Sequence, residues 1–108
     1  MTELSVIRCT SFRSKLLGLM FTRRQYRALV LEFPSDRLVP LHMFFVFYPI
    51  DVAWLDAAGR IVEMKRDFRP FTLCFPRKRA RFVAELPAGY LRSRGLEAGD
   101  ALDISIDL

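Results

Sequence analysis

The chain has 108 residues with 17 Lys and Arg, 12 Asp and Glu, one His and two Cys, and a formal charge of +5. That length makes one domain, residues 1–108, and 52% hydrophobic residues supply a core that holds without staples. The single histidine argues against a structural zinc centre, Cys9 and Cys74 lie at no redox or zinc spacing, and no Gly-x-Ser-x-Gly, His-Glu-x-x-His or P-loop pattern occurs.

In chain order, Leu4 to Cys9 alternates weakly and reads as a first strand. Thr10 and Ser11 offer capping oxygens to a short helix over Phe12 to Phe21, where Phe12, Leu16, Leu19 and Met20 recur at helical spacing around Gly18. A basic connector with Arg23, Arg24 and Arg27 leads into a strand from Ala28 to Phe33, which should stop at Pro34 and turn at Ser35 to Arg37. Leu38 to Phe47 is almost continuously apolar. A strand buried on both faces explains it, as does an exposed patch that packs on a partner; the cost of leaving several phenylalanines in water favours the core.

The middle of the chain predicts a hairpin. Asp51 to Leu55 and Arg60 to Met64 are strand-like, and Asp56-Ala57-Ala58-Gly59 supplies the turn, with Gly59 at positive φ. Alternation puts Asp51, Ala53 and Leu55 on one face and Val52, Trp54 and Asp56 on the other, so this is an interior strand. A carboxylate starting such a strand needs hydrogen-bond donors or a cation. The structural reading, an Asp that ties the Pro49 turn to nearby amides, is preferred.

Pro70 and Pro76 make Asp67 to Lys78 an irregular crossover, with Phe71, Leu73 and Phe75 expected to anchor it by inserting into the core. Ala80 to Leu86 reads as a strand closed by Pro87-Ala88-Gly89, Tyr90 to Arg94 as one helical turn, Gly95 to Asp100 as a double-turn connector, and Ala101 to Ile106 as a last strand with one solvated face. The fold expected is mainly β (α+β), a compact antiparallel sandwich or partly closed barrel with one or two short helices. Leu38 to Ile50 is too short to span a membrane, which takes ~20 residues, and Met1 to Arg8 lacks the apolar run of a signal peptide. The expectation is a soluble, cytoplasmic protein with reduced thiols, monomeric or homodimeric.

Charge is unevenly placed along the chain. Leu4 to Leu31 holds Arg8, Arg13, Lys15, Arg23, Arg24 and Arg27 and no acid, and a second cluster comprises Arg77, Lys78, Arg79 and Arg81. Glu97, Asp100, Asp103 and Asp107 make the tail acidic, so folding either cancels the basic charge or leaves a basic face open to anions.

Lys15-Leu16-Leu17-Gly18-Leu19-Met20, Met43 with Pro49-Ile50-Asp51, Asp56 to Gly59, and Glu85-Leu86-Pro87-Ala88-Gly89 with Gly95 and Gly99-Asp100 form an ordered set. In this set the chain resembles the DUF192 family, small archaeal and bacterial domains of unknown function. The resemblance implies a mainly β, barrel-like domain with a short helix near Gly18-Leu19-Met20. Where many bacterial members have Trp-Met-Lys-Asn-Thr, this chain has His42-Met43-Phe44-Phe45-Val46, so any polar contacts made by that stretch are missing here. Many bacterial relatives also look exported, and the leader they carry is not seen here.

Three function classes follow. The preferred one is a non-enzymatic domain that binds a small molecule or peptide near the central hairpin, with His42, Met43, Asp51 and Glu85 as candidate ligand-binding residues in an apolar wall, and with no cofactor or metal expected. Against these stand bland roles: His42 satisfied by a backbone carbonyl at a sheet edge, Met43 in the core, Glu85 on the surface or ion-paired. The alternative is nucleic-acid binding through Arg13, Lys15, Arg23, Arg24, Arg27, Arg77 and Arg79, with Phe12, Phe21, Tyr26 and Phe82 as stacking surfaces. The third, an enzyme using Asp51 and Glu85, requires the fold to bring both carboxylates together.

Overall fold

A computed structural model describes residues 5–9, 27–44 and 46–102. The expected helix over 12–21, its Gly18 and Lys15, Arg13, Arg23 and Arg24 lie outside the described residues, as does the last strand beyond Leu102.

Seven strands and a four-residue helix make up the described chain. Strand β1 is Ser5–Cys9, β2 Arg27–Arg37, β3 Leu41–His42, β4 Ile50–Leu55, β5 Ile61–Phe68, β6 Leu73–Cys74 and β7 Ala80–Pro87, followed by α1 at Tyr90–Ser93. Five strands form a sheet in the order β1-β2-β7-β4-β5, and β3 and β6 make a separate two-stranded ribbon. The β1–β2 pair is parallel and the other pairs are antiparallel. The architecture is therefore mostly β with open sheets, and among the described residues no closed barrel forms.

The central hairpin forms as expected, with β4 between β7 and β5 and Gly59 at φ 82. Asp56 Oδ1 accepts the amides of Ala58 and Arg60, both at 2.9 Å, which fixes the turn. Strand β5 runs on to Phe68, four residues past the expected end. Strand β2 also continues through Pro34 to Arg37. The proline sits where the pairing with β7 shifts register, between Glu32 and Arg37, which is how an antiparallel strand accommodates a residue without an N–H.

Alternation along β4 divides the core in two. On one face Val52 and Trp54 join Leu29, Leu31, Val83 and Phe68. Ala53 and Leu55 lie on the other with Val30, Ala84, Ile61 and Leu91. The second face is closed by α1 and the turn after it. Ile61 donates to the Asp100 carbonyl at 2.8 Å, Gly99 donates back to Ile61 at 2.7 Å, and Leu102 donates to Gly59 at 3.0 Å.

The first face is covered by the β3–β6 ribbon, where two expectations fail. Leu38 to Phe47 is not one strand buried on both faces: β3 has two residues, Met43 and Val46 are buried, and Phe44 and Phe47 are exposed. Phe71, Leu73 and Phe75 do not insert into the core either, being 52%, 53% and 72% exposed. The register explains both. Leu41 opposite Cys74 packs down onto the core, so His42 opposite Leu73 must face outward. Trp54 ties the ribbon's approach to the sheet, its buried Nε1–H donating to the Val39 carbonyl at 3.0 Å.

Candidate functional site

Asp51 is 1% exposed on the face that carries Leu91. Its Oδ1 accepts the amide of Asp67 at 3.0 Å and its Oδ2 the amide of Leu91 at 2.9 Å. The partners are therefore backbone amides, supplied by residues 67 and 91. Asp67 has φ 51, a conformation Asp tolerates, and Gly89, which caps α1, has no side chain to offer the helix. The acceptor for a first-turn amide of α1 thus comes from β4. Both oxygens of Asp51 are engaged in scaffold contacts.

Glu85 is buried on β7, opposite Leu29 of β2 and Val52 of β4. It is a buried strand residue rather than a surface one. Burial pushes its carboxyl up to about 7 because the charged form loses its water. In the β4–β7 register Asp51 faces Leu86 and Val52 faces Glu85, so the two carboxylates emerge on opposite sides of the sheet. They do not form a catalytic pair. Among the described residues no group of His, Cys, Asp and Glu comes together that could hold a metal ion.

Met43 is a core residue, 1% exposed, beneath the ribbon. Its N–H donates to the Thr72 carbonyl at 2.8 Å, and its own carbonyl accepts from Phe71 at 2.7 Å and Val46 at 3.3 Å. His42 is half-buried, and its Nδ1 accepts the amide of Phe44 at 3.2 Å. Nδ1 is thus an acceptor in place of the expected donor to a carbonyl, which puts the proton of neutral His42 on Nε2.

These contacts organise an outer face that the site residues read from the sequence do not describe. The His42 ring stacks on Phe44 at 5.4 Å between centroids, and Phe47 meets Phe71 edge to face at 5.8 Å. Leu73 stands opposite His42, and the exposed Phe75 directly follows the end of β6. Phe71 is held at φ 61, a left-handed conformation that bulky residues avoid and that persists only where surrounding contacts impose it. The 71-73-75 alternation of large apolar residues between two prolines was the signal available in the sequence. It reads equally as a core anchor, because alternation does not say which face is covered.

Of the basic residues, Arg77, Lys78 and Arg79 are exposed, Arg27 begins β2, and Arg81 pairs with Asp36 at 3.0 Å. Phe82 is half-buried against the second core cluster, a poor position for stacking on a base. Cys74 carries a free, half-buried thiol, raised by burial, with Lys65 lowering it and Glu63 raising it in smaller measure. No helix among the described residues is long and apolar enough to cross a membrane.

Comparison with known proteins agrees with this fold. The chain is 34% identical over 94 residues to a UPF0127 protein of Thermococcus kodakarensis, covering 85% of this chain and 59% of that protein. It is 36% identical over 94 residues to a UPF0127 protein of Pyrococcus horikoshii, covering 85% and 80%. The chain thus spans about six-tenths of the length of the Thermococcus relatives. A crystal structure from Sinorhizobium meliloti, described as that of a proposed transcription regulator, matches with a TM-score of 0.85 at 23% identity over 93% of this chain and 81% of that one. A protein of unknown function from Novosphingobium aromaticivorans matches with a TM-score of 0.83 at 16% identity over 91% and 73%. At these identities the two structures speak for the fold alone. The model of the DUF192 family, described as Uncharacterized ACR, matches residues 2–104, and the chain belongs to that family.

Proposed function

We propose that this is a non-enzymatic binding domain whose recognition surface is the outer face of the β3–β6 ribbon, beside the central hairpin, and whose ligand is a peptide or a small, largely apolar molecule. The observation that carries the reading is the group of Phe44, Phe47, Phe71, Leu73 and Phe75, each between 43% and 72% exposed around a single two-stranded ribbon. Five side chains of roughly 200 Å² each, about half exposed, present on the order of 500 Å² of apolar surface. That is at the upper end of the ~300–600 Å² found for the largest patch on a monomer, and such patches are commonly functional. In this reading Met43 belongs to the floor of the site and His42 to the face itself, whereas Asp51 holds the opposite side of the sheet together and takes no part in it.

The reading does not involve paired carboxylates, since Asp51 and Glu85 are on opposite sides of the sheet. Nucleic-acid binding through Arg77 and Arg79 draws support from their exposure, but Phe82 offers it little stacking surface. A fragment screen followed by ¹H–¹⁵N NMR tests the proposal. Shift changes should gather at residues 41–47 and 71–75; changes gathered instead around Asp51 and Leu91, or on the basic residues alone, overturn it.

A further inference from the structure

The segment that carries this face holds more base than acid. Residues 68–84 contain Arg69, Arg77, Lys78, Arg79 and Arg81 and no acid, and residues 38–50 contain no Lys, Arg, Asp or Glu. Arg69 stands two residues before Phe71 and Arg77 two after Phe75, so cations stand at both ends of the apolar segment; Arg69 meets Asp67 at 3.7 Å and Arg81 pairs with Asp36 at 3.0 Å, which leaves the Arg77–Arg79 loop as the stronger end. Glu63 Oε1 accepts the amides of Arg77 and Lys78 at 2.8 and 3.1 Å, which pins the backbone of the cationic loop to the edge of β5. The side chains of Arg77, Lys78 and Arg79 are exposed.

We propose that the ribbon face docks a peptide segment of a partner protein, apolar at its centre and flanked by Asp or Glu. This inference rests on the reading of the ribbon as a binding face and adds the chemistry of the occupant. An apolar, aromatic centre with a charged rim is the anatomy of a protein-recognition surface. A rim of one sign selects a partner of the other and repels one of its own. That argues against a second copy of this chain bound about a two-fold axis, which would bring the Arg77–Arg79 loops of both copies into one shared interface.

Size points the same way. The apolar centre is smaller than the ~800 Å² per partner of a standard protein interface and suits a short segment. Successive bases of a single-stranded nucleic acid need a series of open ring faces, whereas Phe47 meets Phe71 edge to face, His42 stacks on Phe44 and Leu73 has no ring, which leaves the exposed Phe75. A fluid lipid surface gains nothing from the left-handed backbone at Phe71, a fixed local shape of the chain beneath the face. A partner of fixed shape does, because a preformed site loses less freedom on binding.

The test is selection from a random peptide display library on the full chain, run beside the Phe71→Ser/Phe75→Ser and Arg77→Gln/Arg79→Gln variants, with oligo-dT and phosphatidylglycerol vesicles as competing probes. The substitutions are at exposed positions, and matching urea midpoints show that each variant is folded. The expected result is enrichment of peptides with an apolar centre and acidic flanks. Their affinity should fall at least about tenfold in the ring variant and about fivefold in the charge variant. Enriched peptides without acidic residues, or affinities indifferent to the arginines, overturn the acidic partner and leave the binding face standing. Ring-dependent retention of oligo-dT or vesicles in place of peptide also overturns it and reassigns the face. If none of the probes is retained in a ring-dependent way, both the inference and the binding reading fall.

Discussion

The carboxylate of Asp51 on β4 accepts the amide of Leu91 at 2.9 Å across 40 residues of sequence, while its other oxygen holds the amide of Asp67 at the end of β5. One side chain thus fixes α1 against the sheet and the strand end beside it. Charge-assisted bonds to buried amides contribute more than neutral ones, and their loss strands the donors.

Asp51→Asn is therefore expected to destabilise the fold by about 2–4 kcal/mol, since one oxygen is replaced by an NH₂ that cannot accept. Urea unfolding measures this. A loss below about 1 kcal/mol would remove the scaffold role.

Glu85 predicts a pH dependence of known sign. The folded carboxyl keeps its proton up to about 7, whereas an unfolded glutamate loses it near 4.3. Between those values the folded chain binds the extra proton, so stability falls as pH rises, by about 1.4 kcal/mol per unit and roughly 3–4 kcal/mol in all. The contribution is complete below the unfolded value and gone above the folded one. Glu85→Gln keeps the shape without titrating. Its stability relative to wild type should climb between about pH 4 and 7 and level off beyond. A constant difference would mean that Glu85 titrates in the folded protein as it does in the unfolded chain.

Aromatic residues should divide by position rather than by type. Trp54→Phe leaves the buried Val39 carbonyl without its donor and is expected to cost about 1–3 kcal/mol. Phe75→Ser, at a side chain 72% exposed, should stay within about 0.5 kcal/mol. Thermal or urea unfolding of the two variants decides it, and a large loss at Phe75 would place its ring in the core.

Glu63 serves the cationic loop. Glu63→Ala removes the acceptor of the Arg77 and Lys78 amides, and both should exchange with solvent at least about tenfold faster while global stability changes by about 1 kcal/mol or less. Hydrogen exchange resolved at those residues checks this. Unchanged protection would show that the loop is held by something else.

Gly59 has φ 82, and a Cβ there would come no closer than 3.9 Å to the Leu102 carbonyl. The cost of Gly59→Ala is therefore conformational rather than steric, about 1 kcal/mol in unfolding free energy. A loss of several kcal/mol would instead indicate that the turn rearranges.

The local chemistry of the chain was enough to determine most elements. The β4–β5 hairpin, its turn and Gly59, the strand ending at Pro87, the helical turn at Tyr90 and the interior position of β4 follow from alternation, turn residues and backbone sterics, which act over a few residues. Family membership was legible for a related reason, since the Lys15–Met20, Pro49–Asp51 and Glu85–Gly89 pieces keep their order along the chain. Pro34 misled because its effect depends on the neighbouring strand: beside a register shift in the β2–β7 pair a missing N–H is tolerated, so β2 continues to Arg37.

Only the tertiary structure decided the candidate site. Asp51 and Glu85 look alike as carboxylates in apolar strands, yet the β4–β7 register sends them to opposite sides of the sheet, and Asp51 meets its donors from residues 67 and 91. Phe44, Phe47, Phe71, Leu73 and Phe75 have core composition, and the sequence has no way to state that the ribbon turns Leu41, Met43 and Cys74 inward in their place. Alternation says which residues share a face. Which face is buried depends on what packs against it, and that is settled by segments far apart in the chain.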